Sequence, residues 1–472
     1  MNPKRLELSP EEMREIGYRV IDLLVGHFQE LPHKSVTRKE DRMTLEKHFR
    51  EPIPIDGVNP LELLDRLEKD VFSRIMHLDH PRFFAFVPSP NNFIGVMADA
   101  LVSGFNIFSG TWLESSGPAQ IELVTLEWLC RACGLPESAG GIFVSGGSVA
   151  NITALAVARQ QKLKGHMQGA MVYGSDQTHS SIERGMRILG FQEQQFRKIA
   201  CDKSYCLDLS ALQKAVQADR AAKRKPFCVV ANAGTTNTGA IDPLPAIADF
   251  CCQEGLWLHV DGAYGAAAAL CERGQELLQG LGRADSLTLD PHKWLFQPYE
   301  IGCVLVRHEQ WLRQTFHILP AYLADAESKA GEVNFCDRGI QLTRGFRALK
   351  LWLSLKAFGK VAFEKALHHG FEMAEAAEEF IGQLSDWEIM TPAQLGIITF
   401  RYAPAGMAEE KINTLNHGLI EKMIADGFAM LSSTVLRGRT VLRMCTINPR
   451  STREDIQVTI TRLDEMAKEL NE

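Results

Sequence analysis

The sequence predicts an α/β fold with a mostly parallel sheet, preceded by a helical arm and followed by a smaller α+β domain. Two observations predict the sheet. Short β-rich apolar runs alternate with helix-length segments, and most of these runs are continuously apolar, as in strands buried on both faces. The predicted strands are 141–144, 170–173, 227–231, 256–260, 286–289 and 302–306.

The first 78 residues are predicted to form a helical arm. Ser9 is placed to cap a helix, Pro10 suits its first position, and Glu12 completes a capping box. Apolar residues then recur at helical spacing as far as Phe28. Prolines interrupt the remainder of the arm, at Pro32, Pro52, Pro54 and Pro60. Such an arm needs a surface to pack against, and we expect a second subunit to supply it.

The residues after 350 predict a smaller domain. Helical patterns return there, with strand-like runs at 396–400 and 440–444. A chain of 472 residues is long enough for two or three domains. We therefore divide it into residues 1–78, 79–350 and 351–472.

Composition argues against several classes of protein. The net charge of -7 without any basic block disfavours a nucleic-acid or anionic-membrane partner. No apolar run approaches the roughly 20 residues that span a bilayer, and the N-terminus has no signal-peptide pattern, so we expect a cytoplasmic protein. Eleven scattered cysteines suggest reduced thiols, and Cys130 and Cys133 form a CxxC without the second pair that a zinc site requires. We therefore expect no metal.

Reactive residues follow the predicted strands, at the edge where open α/β sheets bind ligands. Gly146, Gly147 and Ser148 follow the first strand and open a predicted helix. Backbone N–H groups and the helix dipole at such a turn suit a phosphate. Taken alone, the same turn is also compatible with a strand-to-helix connection that binds nothing.

Three further residues complete the pattern. Asp261 ends a strand among apolar neighbours, where a cation such as a protonated pyridine nitrogen would stabilise its charge. Lys293 has apolar neighbours, which we expect to lower its pKa and make the amine available for a Schiff base. His179 could stack on a planar ring or move protons. Each alone also fits a structural or surface role, but their order along successive strands favours a single cofactor site.

A serine hydrolase is the alternative from another enzyme class. The segment from Gly146 to Ala150 nearly matches a nucleophile elbow around Ser148, and Asp261 and His292 follow in the hydrolase order. Ala150 stands where the elbow has glycine, and this alternative gives Lys293 no role.

Four motifs carry a family resemblance: SDQTHSSIERG at 175–185, HVDGAYG at 259–265, DSLTLDPHKW at 285–294 and GFRALKLW at 345–352. With them the chain resembles the group II pyridoxal-phosphate decarboxylases, and within these the aromatic L-amino-acid decarboxylases. The resemblance implies pyridoxal 5'-phosphate (PLP) as cofactor and PLP fold type I, the aspartate-aminotransferase-like fold. It also implies a PLP-binding domain at 79–350 and a homodimer, formed through the arm at 1–78, with active sites near the subunit interface.

The resemblance also implies residue roles. Lys293 matches the lysine that carries PLP as a Schiff base, Asp261 the partner of the pyridine nitrogen, and His179 the histidine stacked on the ring. Tyr322 resembles the mobile-loop tyrosine that protonates the substrate carbon after carbon dioxide leaves, and relatives with Phe there resemble aldehyde synthases. The cofactor-binding set implied is Gly147, Ser148, His179, Thr236, Asp261, Ala263, His292 and Lys293.

The implied substrate pocket consists of Phe86, Pro88, Ser89, Phe108 and Thr343. Ser89 is expected near the substrate carboxylate. At the position of Thr343, relatives with Gly tend to accept indoles and those with Ser phenols, which favours tyrosine, DOPA or phenylalanine over tryptophan. Asp290 replaces an Asn found beside the phosphate in relatives, and we expect no direct phosphate contact there because two anions repel.

The sequence therefore predicts a carbon-carbon lyase. It would convert an aromatic L-amino acid (Tyr, DOPA, Phe or Trp) to the arylalkylamine and carbon dioxide. A glutamate or histidine decarboxylase and an aromatic aldehyde synthase remain as alternatives. Pocket composition distinguishes the first two from this activity, and the residue at position 322 distinguishes the aldehyde synthase.

Overall fold

The larger of two sheets places the carboxyl ends of its parallel strands along one edge. The computed structural model describes residues 6–318, 329 and 331–472. The strands of this sheet are β1 (Gly140–Val144), β2 (Ala170–Ser175), β3 (Phe196–Ile199), β4 (Lys225–Asn232), β5 (Trp257–Asp261), β6 (Ser286–Leu289) and β7 (Gly302–Val306). Their order is β1-β7-β6-β5-β4-β2-β3; β7 pairs antiparallel with both β1 and β6, and the other neighbouring strands pair in parallel. The predicted mostly parallel sheet is confirmed.

Helices connect and cover the strands. They are α1 (Pro10–Glu30), α2 (Arg42–Phe49), α3 (Pro60–Asp70), α4 (Phe93–Gly104), α5 (Trp112–Ala132), α6 (Gly147–Leu163), α7 (Ser180–Ile188), α8 (Leu209–Ala221), α9 (Leu244–Glu254), α10 (Glu272–Leu277), α11 (Gln310–Phe316), α12 (Ala348–Phe358), α13 (Lys360–Gly382), α14 (Glu409–Asp426) and α15 (Arg453–Asn471). In the parts of the chain described, none of them combines the length and apolar character needed to cross a membrane.

The larger sheet is buried because helices cover it. Residues of β1, β2, β5, β6 and β7 are buried throughout, and helices α5, α6, α8 and α9 contact the sheet. Val229, Val230 and Ala231 of β4 are wholly inaccessible to solvent. This burial explains why the predicted runs are continuously apolar.

The segment between β6 and β7 begins and ends at the same edge of the sheet. Because β7 is antiparallel, residues 290–301 connect the end of β6 to the start of β7 without crossing the sheet. Backbone hydrogen bonds hold this segment internally: the N–H of Lys293 donates to the carbonyl of Asp290, and that of His292 to the carbonyl of Ile301.

The smaller sheet is antiparallel. It consists of β8 (Trp387–Gln394), β9 (Ile397–Tyr402), β10 (Ser432–Leu436) and β11 (Arg439–Cys445), in the order β10-β11-β9-β8. Helices α13 and α14 contact it, and α15 packs against these two helices to close a second apolar cluster. The first part of α13 instead joins the cluster of the larger sheet through Phe363, Leu367 and Phe371. The division at residues 78 and 350 stays a prediction.

Aromatic contacts join the two sheets next to the candidate site. The Trp294 ring stacks on Tyr264 at 5.3 Å between centroids and contacts Phe371 of α13 at 5.2 Å. The Tyr264 hydroxyl accepts a hydrogen bond from the N–H of Gly396 at 2.8 Å. The segment that carries Lys293 is therefore supported by residues that belong to the smaller sheet and its helix.

The N-terminal arm begins as predicted. The Ser9 hydroxyl accepts from the N–H of Glu12, and the Glu12 carboxylate accepts from the N–H of Ser9, which completes the capping box of α1. Near the end of α1, His27 Nε2 lies 3.1 Å from a carboxylate oxygen of Asp79, and the Arg450 guanidinium lies over the Phe28 ring. No residue of α1 is buried, so this helix lies on the surface of the rest of the chain.

Candidate active site

A cavity of about 290 Å³ opens at the carboxyl edge of the larger sheet. Its walls come from the residues that follow β1, β2, β4, β5 and β6, as expected for an α/β sheet. Every residue predicted to bind the cofactor lines it: Gly147, Ser148, His179, Thr236, Asp261, Ala263, His292 and Lys293. The fold therefore brings together residues that are up to 146 positions apart in the sequence, from Gly147 to Lys293.

The glycine turn at one end of the cavity fits a phosphate. Helix α6 starts at Gly147 with no side-chain cap, so its first N–H groups are open to a ligand. A Cβ on Gly147 would lie 2.7 Å from a carboxylate oxygen of Asp290 and 3.1 Å from Ala263 Cβ. A Cβ on Gly302 would lie 2.4 Å from the Cα of Gly146. Side chains at these two positions would fill or displace the turn.

Asp261 fits a cationic ring nitrogen. It ends β5, is 7% exposed, and lines the cavity. One carboxylate oxygen accepts from Asn151 Nδ2 at 2.9 Å, and the other accepts from the N–H of Ala263 at 3.1 Å. These donors hold the carboxylate in place, and its burial favours a cationic partner.

Lys293 forms an ion pair, and the expectation of a lowered pKa is wrong. Its Nζ lies 2.9 Å from a carboxylate oxygen of Asp290. Burial alone would lower the pKa of Lys293, but the Asp290 carboxylate, with a further contribution from Asp261, raises it above its usual value. The sequence-based expectation considered the apolar neighbours of Lys293 and did not foresee that Asp290 pairs with it. The ammonium group must therefore lose its proton before Lys293 can react as a nucleophile.

Asp290 is a buried partner of Lys293. It is 2% exposed, and one of its oxygens has no hydrogen-bond partner in the described part of the chain. It lines the same cavity as the glycine turn, so a phosphate bound there would meet a second anion. The expectation that Asp290 makes no direct phosphate contact stays a prediction.

Replacing Asp290 with Asn should strengthen PLP binding roughly five- to tenfold, because it removes an anion near the phosphate and lowers the pKa of Lys293. Titration of the apoprotein with PLP, followed by visible absorbance, measures this change. Asp285→Asn is a matched control, since Asp285 accepts from the N–H of Leu258 and does not line the cavity. Unchanged or weaker binding by Asp290→Asn would contradict the prediction.

His179 is the N-cap of α7 and not a free loop residue. Its Nδ1 lies 2.8 Å from the Ser181 hydroxyl and accepts from the N–H of Ser181 at 3.3 Å. Burial lowers the pKa of His179, while the charge of Asp261 opposes that shift. Because a backbone N–H can only donate, Nδ1 is unprotonated and the ring hydrogen lies on Nε2.

The serine hydrolase triad is not formed. His292 Nδ1 lies 2.7 Å from the carbonyl oxygen of Ile301, and the Asp261 carboxylate is bonded to Asn151 and Ala263 instead of His292. His292, the base of the hydrolase alternative, is thus not oriented by Asp261, the acid that this alternative requires. Ser148 lines the cavity as part of the glycine turn.

The predicted substrate residues lie outside this cavity. Of the described residues that line it, none is Phe86, Pro88, Ser89, Phe108 or Thr343. The Ser89 hydroxyl donates to the carbonyl of His292, behind the cavity wall. Ser109, next to Phe108, donates its N–H to the carbonyl of Arg344, next to Thr343, so these two predicted residues are held close together. The pocket stays a prediction, and Tyr322 lies outside the described residues.

Sequence reasoning missed Asn151 and the residues behind it. Asn151 lines the cavity, and His259 Nε2 lies 3.0 Å from its side-chain oxygen. The signal that could have revealed this site was an amide side chain in the mostly apolar start of the helix, GSVANITALAVA. A buried amide needs partners, which predicts a polar network beneath this helix.

Acid should destabilise the fold through two buried histidines. His80 and His259 are wholly buried, and burial lowers the pKa of each to about 4. Both must be neutral in the folded chain, whereas in the unfolded chain they titrate near pH 6.5. Their contribution is therefore complete above about pH 6.5 and is lost as pH falls towards 4, by about 3 kcal/mol for each group.

Urea unfolding at pH 7 and pH 4.5 measures this loss. His80 Nδ1 accepts from the N–H of Arg82, and the side-chain oxygen of Asn can replace that acceptor without titrating. His80→Asn should therefore show a smaller loss of unfolding free energy on acidification. An equal loss in both proteins would remove His80 from the explanation.

Comparisons with known proteins agree with this site. Residues 44–403 match the model of the family described as "Pyridoxal-dependent decarboxylase conserved domain". The chain is 50% identical to an aromatic-L-amino-acid decarboxylase of Bacillus atrophaeus, over 99% of this chain and 98% of that protein. It is 29% identical to a phenylacetaldehyde synthase of Arabidopsis thaliana, over 95% and 94% of the two chains.

The fold has a solved counterpart. The crystal structure of Oryza sativa TDC with PLP and tryptamine superposes with a TM-score of 0.94 at 27% identity, covering 100% of this chain and 99% of that one. Its cofactor agrees with the cavity described here, where a phosphate turn, a carboxylate and a lysine converge. The chain belongs to the pyridoxal-dependent decarboxylase family, and it is a PLP-dependent carboxy-lyase.

Proposed function

We propose that this enzyme decarboxylates an aromatic L-amino acid to the corresponding arylalkylamine, with PLP attached to Lys293 as a Schiff base. The observation that carries the substrate class is the 50% identity with the Bacillus atrophaeus aromatic-L-amino-acid decarboxylase over nearly the full length of both chains. The cavity supports the assignment of the cofactor residues, because all eight that were predicted line it.

Different residues of the cavity would bind different parts of PLP. The N–H groups at the start of α6, with Gly147 and Ser148, would hold the phosphate. Asp261 would hold the ring nitrogen and His179 would cover a ring face. PLP supplies an aldehyde that links to amines and a protonated ring that accepts the electron pair of the breaking bond to the carboxylate.

The side chains then control charge and protons. Asp261 would favour a proton at the ring nitrogen, since its carboxylate faces the cavity and is held in place by the amide of Asn151 and the N–H of Ala263. His179 presents a neutral ring with its hydrogen on Nε2. Lys293 would provide the amine for the covalent link once its ammonium group, paired with Asp290, has lost its proton. Tyr322 would donate a proton to the substrate carbon that loses carbon dioxide.

Replacing Tyr322 with Phe should change the products. Without the phenolic proton donor, the carbon should react with oxygen more often, giving aldehyde, ammonia and peroxide in place of amine. Amine, aldehyde and peroxide measured in the same reaction test this. Tyr402→Phe removes a hydroxyl from β9 of the smaller sheet, outside the lining of the described cavity, and is the control. An unchanged amine yield in Tyr322→Phe would contradict the assignment.

The enzyme is proposed to act as a homodimer with active sites near the subunit interface. The arm helix α1 leaves Met13 and Tyr18 more than half exposed, and Phe105 and Ile340 are similarly exposed beside the predicted substrate residues. A second subunit would cover such apolar side chains. Sedimentation should give a mass near twice 52.6 kDa, and a monomer that is fully active would refute the dimer. All eleven cysteines are free thiols, which supports a cytoplasmic location.

A panel of amino acids tests the substrate class. The PLP-loaded enzyme should release carbon dioxide and the matching amine from tyrosine, DOPA, phenylalanine or tryptophan. Release from glutamate or histidine alone would replace the aromatic assignment. Aldehyde and peroxide as main products would make the enzyme an aldehyde synthase, the activity named for the Arabidopsis thaliana relative.

A further inference from the structure

A buried amide lies between two groups of the cofactor site. Asn151 is 1% exposed, and all four of its hydrogen-bonding positions are used. Its Nδ2 donates to Asp261 at 2.9 Å and to Ser181 Oγ at 2.8 Å. Its oxygen accepts from Thr288 Oγ1 at 2.7 Å and lies 3.0 Å from His259 Nε2. Because an ionised carboxylate only accepts, the nitrogen must be the atom that faces Asp261.

The hydrogen bonds behind Asn151 have one consistent direction. Trp257 Nε1 only donates, and it donates to Ser286 Oγ at 2.9 Å. The Ser286 hydroxyl then donates to His259 Nδ1, also at 2.9 Å. His259 is neutral because burial lowers its pKa to about 4, so its hydrogen lies on Nε2 and is donated to Asn151. All three residues are at most 1% exposed.

A second branch leads from Asn151 to His179. Ser181 Oγ accepts from Asn151, which leaves its own hydrogen for His179 Nδ1 at 2.8 Å. The N–H of Ser181 donates to the same nitrogen. Every donor in the network therefore points towards the cavity, and one amide connects the two groups proposed to contact the cofactor ring.

We propose that Asn151 is a positioning residue that fixes the proton positions of the cofactor site. Its N–H donates to the Asp261 carboxylate, so that the shared proton stays on the ring nitrogen, and it directs Ser181 to keep His179 Nδ1 unprotonated. This inference rests on the proposed contact between Asp261 and the ring. The ion pair of Lys293 with Asp290 and the neutral ring of His179 also face this region, and the test below leaves these three side chains unchanged.

The test measures the ring proton directly. Holoenzyme is prepared with PLP carrying ¹⁵N in the ring, and the ¹⁵N chemical shift is followed from pH 6 to pH 10. Asn151→Leu, of similar volume but without a donor, should lower the protonation midpoint by about one to two pH units and kcat/KM about 10- to 100-fold. Asn416→Leu is the matched control. Asn416 is equally buried but bonds Tyr402 of β9 and Ile412 of α14.

A second pair of variants keeps the inference testable if Asn151→Leu does not fold. His259→Leu removes the donor to Asn151, whereas His259→Gln retains an amide N–H. The Leu variant should lower the midpoint, and the Gln variant should restore it towards the wild-type value. Equal midpoints in this pair, or a wild-type midpoint in folded Asn151→Leu, would overturn the role of Asn151. An unprotonated ring in the wild-type enzyme would instead overturn the proposed contact with Asp261.

Discussion

Replacement of Lys293 by Ala should lower kcat at least about 10³-fold, because it removes the amine that forms the covalent link to the cofactor. Among the described residues that line the cavity, Lys293 is the one lysine. Borohydride reduction of the wild-type holoenzyme should fix the cofactor on the peptide that contains this residue, as mass spectrometry would show.

The comparison for Lys293 is Lys162→Ala. Lys162 is an exposed lysine whose Nζ donates to the carbonyl of Gly255, away from the cavity, and its replacement should leave kcat within about twofold. If Lys293→Ala kept its colour, its borohydride label and its turnover, the cofactor would be attached elsewhere and the proposed function would have to be abandoned.

Replacement of Asp261 by Ala should lower kcat/KM about 10²- to 10³-fold, the scale of other electrostatic catalytic groups. The ring nitrogen would lose the anion that keeps it protonated, and electrons from the breaking bond would have a weaker acceptor. Cofactor affinity should fall much less, since the glycine turn and Lys293 stay intact.

Asp261→Asn separates charge from shape. Asn has nearly the same volume but no negative charge, so its loss of activity should approach that of Ala. Steady-state kinetics with saturating PLP measures both variants, and absorbance titration measures their cofactor affinity. Near-normal turnover in Asp261→Asn would show that the charge of this carboxylate is not needed.

Much of the larger sheet could be predicted because its strands are buried on both faces. All six predicted runs are strands, with ends displaced by at most two residues. Strand β3 was missed because its residues Phe196–Ile199 include two cations and are only partly buried. Strands β8 and β10 were missed for a similar reason, since β8 has exposed and partly buried residues between its buried ones and β10 has only Leu436 buried. The direction of β7 leaves no mark in its own sequence.

The site could be predicted where chemistry follows a strand end. The eight cofactor residues meet in one cavity because parallel strands end at one edge. The pKa of Lys293 was predicted in the wrong direction because a turn brings Asp290 back to it, a contact that composition alone does not reveal. Asn151 was missed because its role depends on partners from β5, β6 and α7, far apart in sequence.

The antiparallel course of β7 bears on how the reactive amine is kept in place. If the strand after β6 were parallel to it, the connection would have to cross the sheet. The amine of Lys293 would then lie near one end of a long connection with many accessible conformations. Here the twelve-residue segment 290–301 is held at both ends, by β6 and β7, at the same edge of the larger sheet. Much of the entropy of localising that amine is thus lost during folding, before any substrate arrives, and each turnover starts from reactants already confined.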